Sequence, residues 1–131
     1  MKRSQSLPPR PTQAELEILR VLWRLGPSSV RDLHESLNGV RPMGYTTVLK
    51  LLQIMIAKGL TTRDESGRTH VYRAAMAEEE TQRQLVTDLL ERAFGGSASR
   101  LIQQALESKR ATPEEMAEIR RLIDRATRSK P

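Results

Sequence analysis

Hydrophobic residues recur at helical spacing in two segments near the start of the chain. The first follows Thr12 to Glu15, a capping-box pattern in which a threonine hydroxyl and a glutamate carboxylate each bind a backbone amide. Gly26 and the proline after it end this predicted helix, and a shorter helix begins at Ser28 or Ser29. Trp23 falls on the apolar stripe of the first helix, so we expect it in the core.

A third helix is predicted from about Thr46 to Lys58, and its two sides differ in chemistry. Thr46, Lys50 and Gln53 follow at helical spacing on one polar face, and Thr47 adds a hydroxyl in the first turn. Such side chains suit the DNA major groove, where lysine donates to guanine, glutamine pairs with adenine and threonine contacts a polar edge or the thymine methyl. The predicted buried side consists of Val48, Leu51, Leu52, Met55 and Ile56.

The pattern changes from helix to strand after this third helix. Residues 60–63 and 69–73 are β-prone, and the polar segment between them contains a turn glycine, which predicts a β-hairpin with a long loop. We place Arg63, Arg68 and His70 at the hairpin tip, where basic side chains bind the DNA backbone, and expect Asp64 and Glu65 to repel phosphate there. Three helices followed by a hairpin is the order of a winged helix-turn-helix domain.

Residues 78–131 again show helical periodicity, in three segments. These 54 residues are too few to bury broad apolar faces in a bundle of their own, so we expect burial against a second copy of the chain. The alternative is that these helices pack back on the winged domain. The predicted dimerisation residues are Leu85, Leu89, Leu101, Ile102, Met116, Ile119, Leu122 and Ile123.

The net charge of +6 belongs to one half of the chain. Residues 1–77 hold 12 Lys and Arg against 6 Asp and Glu, whereas residues 78–131 hold ten of each. A positive half favours a polyanionic partner such as nucleic acid. The sequence thus predicts a mainly α protein with a small β-hairpin wing: a flexible basic arm at 1–11, a winged-helix DNA-binding domain at 12–77 and a helical dimerisation domain at 78–131.

Several function classes are disfavoured by the composition. The chain has no cysteine, which excludes disulfides, thiolate metal sites and a cysteine nucleophile. The basic start lacks the apolar stretch of a signal peptide, and no run of about 18 apolar residues predicts a membrane helix, so we expect a cytoplasmic protein. We find no phosphate loop, paired histidine ligands or Ser-His-Asp setting, and we expect no enzyme activity, metal or cofactor.

The segments described above resemble the penicillinase-repressor family of BlaI, MecI and CopY-type regulators. The resemblance covers nearly all of residues 11–126. It implies a homodimer with an N-terminal winged helix and a C-terminal helical dimerisation region. It also implies repression of antibiotic-resistance or metal-response operons at dyad-symmetric operators. The matching segments are 11–19 with Leu22-Trp23, Tyr45-Thr46-Thr47-Val48 with Leu51-Leu52, then 58–60, 70–74 and Phe94-Gly95-Gly96-Ser97.

In this family, the residues that contact bases lie in the Tyr-Thr-Thr helix. The resemblance therefore implies DNA-reading roles for Tyr45, Thr46, Thr47 and Lys50. Arg41, in the connection that precedes this helix, is also a DNA-binding candidate. Together with Gln53, Arg63 and Arg68, these residues form the predicted DNA-binding set.

The chain departs from the family pattern at three places. The family helix often has an arginine near its C-terminal end, where this chain has Gln53-Ile54-Met55. The copper-sensing branch has a C-terminal cysteine box, which this chain lacks. In β-lactam-responsive members, a membrane sensor-protease pathway leads to cleavage of an Asn-Phe bond, and the matching stretch here is Gln104-Ala105.

The main prediction is a homodimeric repressor on a palindromic operator whose half-sites lie one helical turn, or a multiple of it, apart. Two alternatives remain open from the sequence. A winged-helix protein-interaction module would show no salt-dependent affinity for DNA. A repressor that senses a small ligand in its dimer region would lose operator affinity when that ligand binds.

Overall fold

The computed structural model describes residues 10–108 and 110–128. Within them, six helices and a two-stranded hairpin confirm the predicted mainly α winged helix-turn-helix architecture. Residues 1–9 of the predicted arm lie outside the described part of the chain. The elements are α1 (Gln13–Leu25), α2 (Val30–Leu37), α3 (Tyr45–Lys58), β1 (Thr61–Asp64), β2 (Val71–Ala74), α4 (Glu78–Phe94), α5 (Ala98–Ser108) and α6 (Pro113–Arg128).

The chain divides into two compact units inside α4. The first unit ends at Leu85 and the second begins at Val86. The boundary that we predict between residues 77 and 78 falls earlier, at the start of α4. The winged-helix elements from α1 to β2 all belong to the first unit, and α5 and α6 belong to the second.

The helix termini of the first unit follow from local sequence. Thr12 Oγ1 accepts a hydrogen bond from Glu15 N at 3.2 Å, and the Glu15 carboxylate accepts one from Thr12 N at 2.9 Å, which completes the predicted capping box of α1. Ser29 caps α2 by accepting from Asp32 N at 3.1 Å. Gly59 ends α3 with a φ of 82°, a left-handed conformation that favours glycine.

The core of the first unit lies where α1, α2, α3 and β2 meet. It is almost entirely aliphatic, as the low aromatic content requires, with Tyr72 as the aromatic member. Trp23 packs at its edge, and its Nε1 donates to Met76 O at 3.0 Å. Leu51 and Ile56 are only partly buried and pack against the core. The buried residues are Ile18, Leu19, Val21, Leu22, Val30, Leu33, Leu37, Val48, Leu52, Met55, Leu60 and Tyr72.

The wing is an antiparallel hairpin in which Thr61 lies opposite Ala74 and Asp64 lies opposite Val71. The first strand is shifted by one residue from the predicted 60–63, and the second begins at Val71 instead of residue 69, because residues 65–70 all belong to the loop. The other edge of β2 pairs with Ser28, whose N donates to Tyr72 O at 3.0 Å and whose O accepts from Tyr72 N at 2.8 Å. This bridge ties the segment between α1 and α2 to the wing, and the sequence pattern did not predict it.

Among the residues that the structure describes, the second unit has no buried side chain, in contrast to the first. No residue of α5 or α6 is buried within the described chain. Thr112 caps α6 as predicted, with its Oγ1 accepting from Glu115 N at 3.0 Å. The exposed large apolar residues of this unit are Val86, Leu89, Ile102, Leu106, Leu122 and Ile123.

None of the helices in the described part of the chain is both long enough and apolar enough to cross a membrane.

Candidate nucleic-acid interface

The outer face of α3 is set by the burial of its opposite side. Val48, Leu52 and Met55 are 0% exposed, which fixes the rotation of the helix against the core. The side chains on the opposite side are all exposed, so four members of the predicted DNA-binding set share one face of the helix. The outer face of α3 carries Thr46, Thr47, Lys50 and Gln53.

The N-terminal end of α3 has backbone amides without a side-chain cap. The N-cap residue is Gly44, which has no side chain to accept a hydrogen bond, and the first turn has no acidic residue. Helix amides and the helix dipole favour an anion at such an end. Tyr45 is half-exposed beside it and makes an edge-to-face contact with His34, with ring centroids 5.8 Å apart. This end of α3 is therefore suited to a DNA phosphate.

A groove between α3 and the wing brings together basic side chains of two elements. Arg31 comes from α2, whereas Arg68 and His70 come from the loop of the wing. Arg31 is not in the predicted DNA-binding set, although its place two residues after the N-cap Ser29 is a signal for an outward-facing residue. Its ion pair with Glu35, at 3.6 Å, is strongly exposed and therefore weak. The groove is also lined by Val30, Tyr45, Leu49, Thr69 and Tyr72.

Arg63 is not at the tip of the wing, where the sequence placed it. It lies within β1, and its Nε donates to a Glu65 carboxylate oxygen at 2.6 Å. Hydrogen bonding to the Tyr72 side chain, and then to Glu65, holds the pKa of Arg63 above its usual value. The register of the hairpin explains the difference, because Arg63 pairs with Tyr72 inside the ladder. Arg68 and His70 do lie in the loop, as predicted.

The two acids of the wing are bound by neighbouring residues of the same hairpin. Asp64 accepts from Ser66 N at 2.9 Å and from the Ser66 hydroxyl at 2.7 Å, and these bonds lower the pKa of its carboxyl group. Glu65 is paired with Arg63. Glu65 is thus balanced by a cation, whereas Asp64 binds the neutral Ser66 and keeps its negative charge. The repulsion of phosphate that we expect from these acids stays a prediction.

Arg41 lies in the connection between α2 and α3 and makes an ion pair with Glu17 of α1. Its Nη1 atom is 3.3 Å from the Glu17 carboxylate, and about half of its side chain is exposed. The pair anchors the turn before α3 to α1. A DNA-binding role for Arg41 stays a prediction, and any such contact must compete with Glu17.

Glu15 fixes the other end of α3. This carboxylate is nearly fully buried, and Lys58 Nζ reaches both of its oxygens, at 2.8 Å and 2.9 Å. Burial would raise the pKa of Glu15, but hydrogen bonds from Lys58 and Thr12 outweigh it and lower the pKa. The sequence pattern predicted only the capping role of Glu15. The pair keeps the last basic residue of α3 turned toward α1.

The predicted dimerisation residues form a largely uncovered apolar set. Leu85, Leu101, Met116 and Ile119 are half-buried, and Leu85 is the last residue of the first unit. The other four, Leu89, Ile102, Leu122 and Ile123, are between 43% and 54% exposed. Their role in self-association stays a prediction. The described residues include no group of three or more side chains arranged to hold a metal ion.

Three packed helices, a hairpin wing and an exposed polar helix face define a winged-helix protein of the DNA-binding class. The profile of the penicillinase repressor family matches residues 11–125. The chain belongs to this family, whose members are DNA-binding transcriptional repressors and not enzymes.

Individual relatives agree with this assignment. The transcriptional regulator BlaI of Mycobacterium tuberculosis H37Rv is 34% identical over 80 residues, which cover 60% of this chain and 58% of that protein. The match therefore spans less than two thirds of that relative. The penicillinase repressor of Bacillus licheniformis is 22% identical over 116 residues, covering 88% of this chain and 91% of that protein.

A solved structure supports the fold of the first unit. The solution structure of the DNA-binding domain of the repressor BlaI superposes with a TM-score of 0.50 at 24% sequence identity. The match covers 58% of this chain and 93% of that domain. The comparison supports the winged-helix architecture of α1 to β2.

Proposed function

We propose that this protein represses transcription in the cytoplasm by binding a palindromic operator as a homodimer, with α3 in the major groove. The observation that carries the proposal is the outer face of α3. Its exposed hydroxyl, ammonium and amide groups stand opposite a face that is fully buried in the core. A helix docked in this orientation presents Thr46, Lys50 and Gln53 to the base edges.

The groove between α3 and the wing supplies the phosphate contacts of the proposal. Arg31 and Arg68 stand on two of its walls, and His70 lies beside Arg68 in the same loop. Phosphate contacts position a protein on the duplex, and base contacts give it specificity. We therefore propose that these basic residues give the protein its affinity for the DNA backbone, and that the outer face of α3 gives it its sequence preference.

The proposed dimer follows from the second unit. Its helices expose leucine and isoleucine side chains that a solitary chain leaves in water, and burying them stabilises an association at about 25 cal/mol per Å². A two-fold dimer presents two α3 helices to two half-sites of one operator. The palindrome of the operator would then mirror the symmetry of the protein.

The regulated genes are proposed to belong to a resistance or stress-response operon. The name of the Bacillus licheniformis relative, penicillinase repressor, supports this assignment. The family resemblance implies release by a sensor-protease pathway, but this chain has Gln104-Ala105 in place of the Asn-Phe bond that the pathway cleaves. Gln104 and Ala105 are exposed in α5. Detection of a fragment of the chain cleaved at this stretch, in cells exposed to a β-lactam, tests that pathway directly.

The test of the proposed function is a gel-shift titration of the purified protein on DNA from its own promoter region, at about 50 and 200 mM salt. Random-sequence DNA serves as competitor. Saturable binding that survives competitor and weakens steeply with salt supports a sequence-specific repressor. Binding that competitor abolishes contradicts operator specificity. The absence of binding at either salt favours the protein-interaction module.

A further inference from the structure

Ile54 is a large apolar side chain on the outer face of α3. It lies four residues after Lys50 and seven after Thr47, which places it on the same side of the helix, about 6 Å beyond Lys50 along the axis. It is 43% exposed, whereas Val48 and Met55 on the opposite side are 0% exposed. Ile54 therefore belongs to the surface that faces DNA in the proposed function and not to the core.

The C-terminal half of this face differs in chemistry from the N-terminal half. The N-terminal half carries two hydroxyls and Lys50, whereas the C-terminal half carries the uncharged Gln53 and continues through Ile54 to the small exposed Ala57. Lys58, the next cation along the helix, is turned away and held by the Glu15 carboxylate. The region around Ile54 is therefore suited to an apolar group and not to a phosphate.

The base edges of the major groove offer one apolar group of this kind, the 5-methyl of thymine. Isoleucine is branched at Cβ and has few rotamers in a helix, so little conformational freedom is lost when it makes a contact. Isolated exposed apolar residues are common on protein surfaces. On a helix that lies against base edges, such a residue determines which edges fit.

We propose that Ile54 makes this protein prefer thymine at one position of each operator half-site by packing against its 5-methyl group. The inference rests on the proposed function, because it requires α3 to lie in the major groove. It also gives a physical reason for the departure from the family pattern at Gln53-Ile54-Met55. An apolar contact replaces the arginine that the family often has near this end of the helix.

The experiment replaces each thymine of the operator, one symmetric pair at a time, by deoxyuridine, which pairs identically and lacks only the methyl group. Burial of one methyl-sized group is worth about a fourfold change in affinity per half-site, and about 15-fold for both half-sites together. We expect the wild-type protein to show this loss at one symmetric pair of thymines. Ile54→Ala should bind the thymine and uracil operators equally well at that pair.

Lys50→Ala is the matched control, because it weakens binding to both operators while keeping the preference for thymine. Ile54 is exposed, so Ile54→Ala should keep the thermal unfolding midpoint of the wild type. Wild-type protein that discriminates at no thymine, or Ile54→Ala that keeps the full preference, overturns the inference and leaves the proposed function intact. Failure to form a specific complex on unmodified operator overturns the proposed function, and this inference with it.

Discussion

Lys58 Nζ lies 2.8 Å and 2.9 Å from the two carboxylate oxygens of Glu15, and this pair joins the last turn of α3 to the first turn of α1. Glu15 also accepts from the backbone of Thr12. One buried carboxylate thus completes a helix cap and holds the end of the proposed DNA-reading helix. The position of α3 depends on this contact as well as on the apolar core.

Glu15→Gln should destabilise the first unit. The substitution keeps the shape of the side chain but removes the charge that pairs with Lys58, and the loss should be about 1–3 kcal/mol in the free energy of unfolding. Lys58 is about a quarter exposed, which keeps the cost below that of a fully buried pair. Urea denaturation followed by circular dichroism measures the change. Glu35→Gln is the control, because its pair with Arg31 is exposed and worth little.

The same carboxylate should make stability depend on pH in the acid range. The pKa of Glu15 is lowered in the folded state from its ordinary value of 4.5, so the unfolded chain takes up the proton first as the pH falls. The contribution of the Glu15 carboxylate to the free energy of unfolding is therefore fully present above pH 4.5, and it is lost as the pH falls through the lowered pKa. Unfolding free energies measured between neutral pH and about pH 3 should fall less steeply for Glu15→Gln than for the wild type. Equal pH profiles would contradict this role.

The sequence predicted the local features of the first unit and missed its long-range polar contacts. Capping residues and apolar periodicity located α1 to α3, and the outer face of α3 followed from spacing alone. The contact between Glu15 and Lys58 joins residues 43 positions apart, and the bridge between Ser28 and Tyr72 is also long-range. Neither leaves a periodic signal in the chain.

The positions of the basic side chains in the wing were also only partly predicted from the sequence. The sequence predicted a hairpin with basic residues, but strand register decides which of them reach the loop, and register is set by packing. Arg63 pairs with Tyr72 in the ladder and binds Glu65, whereas Arg68 lines the groove. The apolar faces of α4 to α6 were predicted from periodicity. The surface that buries them belongs, in the proposed dimer, to a second copy, so the pattern of one chain does not identify it.

Arg68→Ala and Arg63→Ala should therefore differ in their effect on DNA binding. Removal of one phosphate contact lowers the slope of log affinity against log salt by about 1. We expect that change for Arg68→Ala, because Arg68 lines the groove beside α3, and a smaller one for Arg63→Ala, because Arg63 is bound by Glu65. Affinities measured by fluorescence anisotropy over a series of salt concentrations give both slopes. A larger change for Arg63→Ala would contradict the geometry of the wing.

Leu122→Asp should break the proposed dimer. Leu122 is 47% exposed on the apolar side of α6. A carboxylate at this position would be buried against the second copy without an opposite charge to pair with, which costs free energy. Sedimentation should show a monomer, and operator affinity should fall with it. Arg121→Asp, on the adjacent polar side of α6, introduces the same side chain and should leave the dimer intact. A Leu122→Asp protein that sediments as an unaltered dimer would show that α6 is not part of the interface.

The central claim, that the outer face of α3 reads DNA sequence, is tested most directly by the ratio of operator affinity to random-DNA affinity. The measurement compares Thr46→Ala and Lys50→Ala with Arg20→Ala, which removes an exposed cation of α1. Loss of one base contact costs about 1–3 kcal/mol of discrimination, so the ratio should fall about tenfold for each α3 variant. For Arg20→Ala, the ratio should stay at the wild-type value. An unchanged ratio for both α3 variants, in proteins that remain folded and dimeric, would contradict the assignment of α3 as the reading helix.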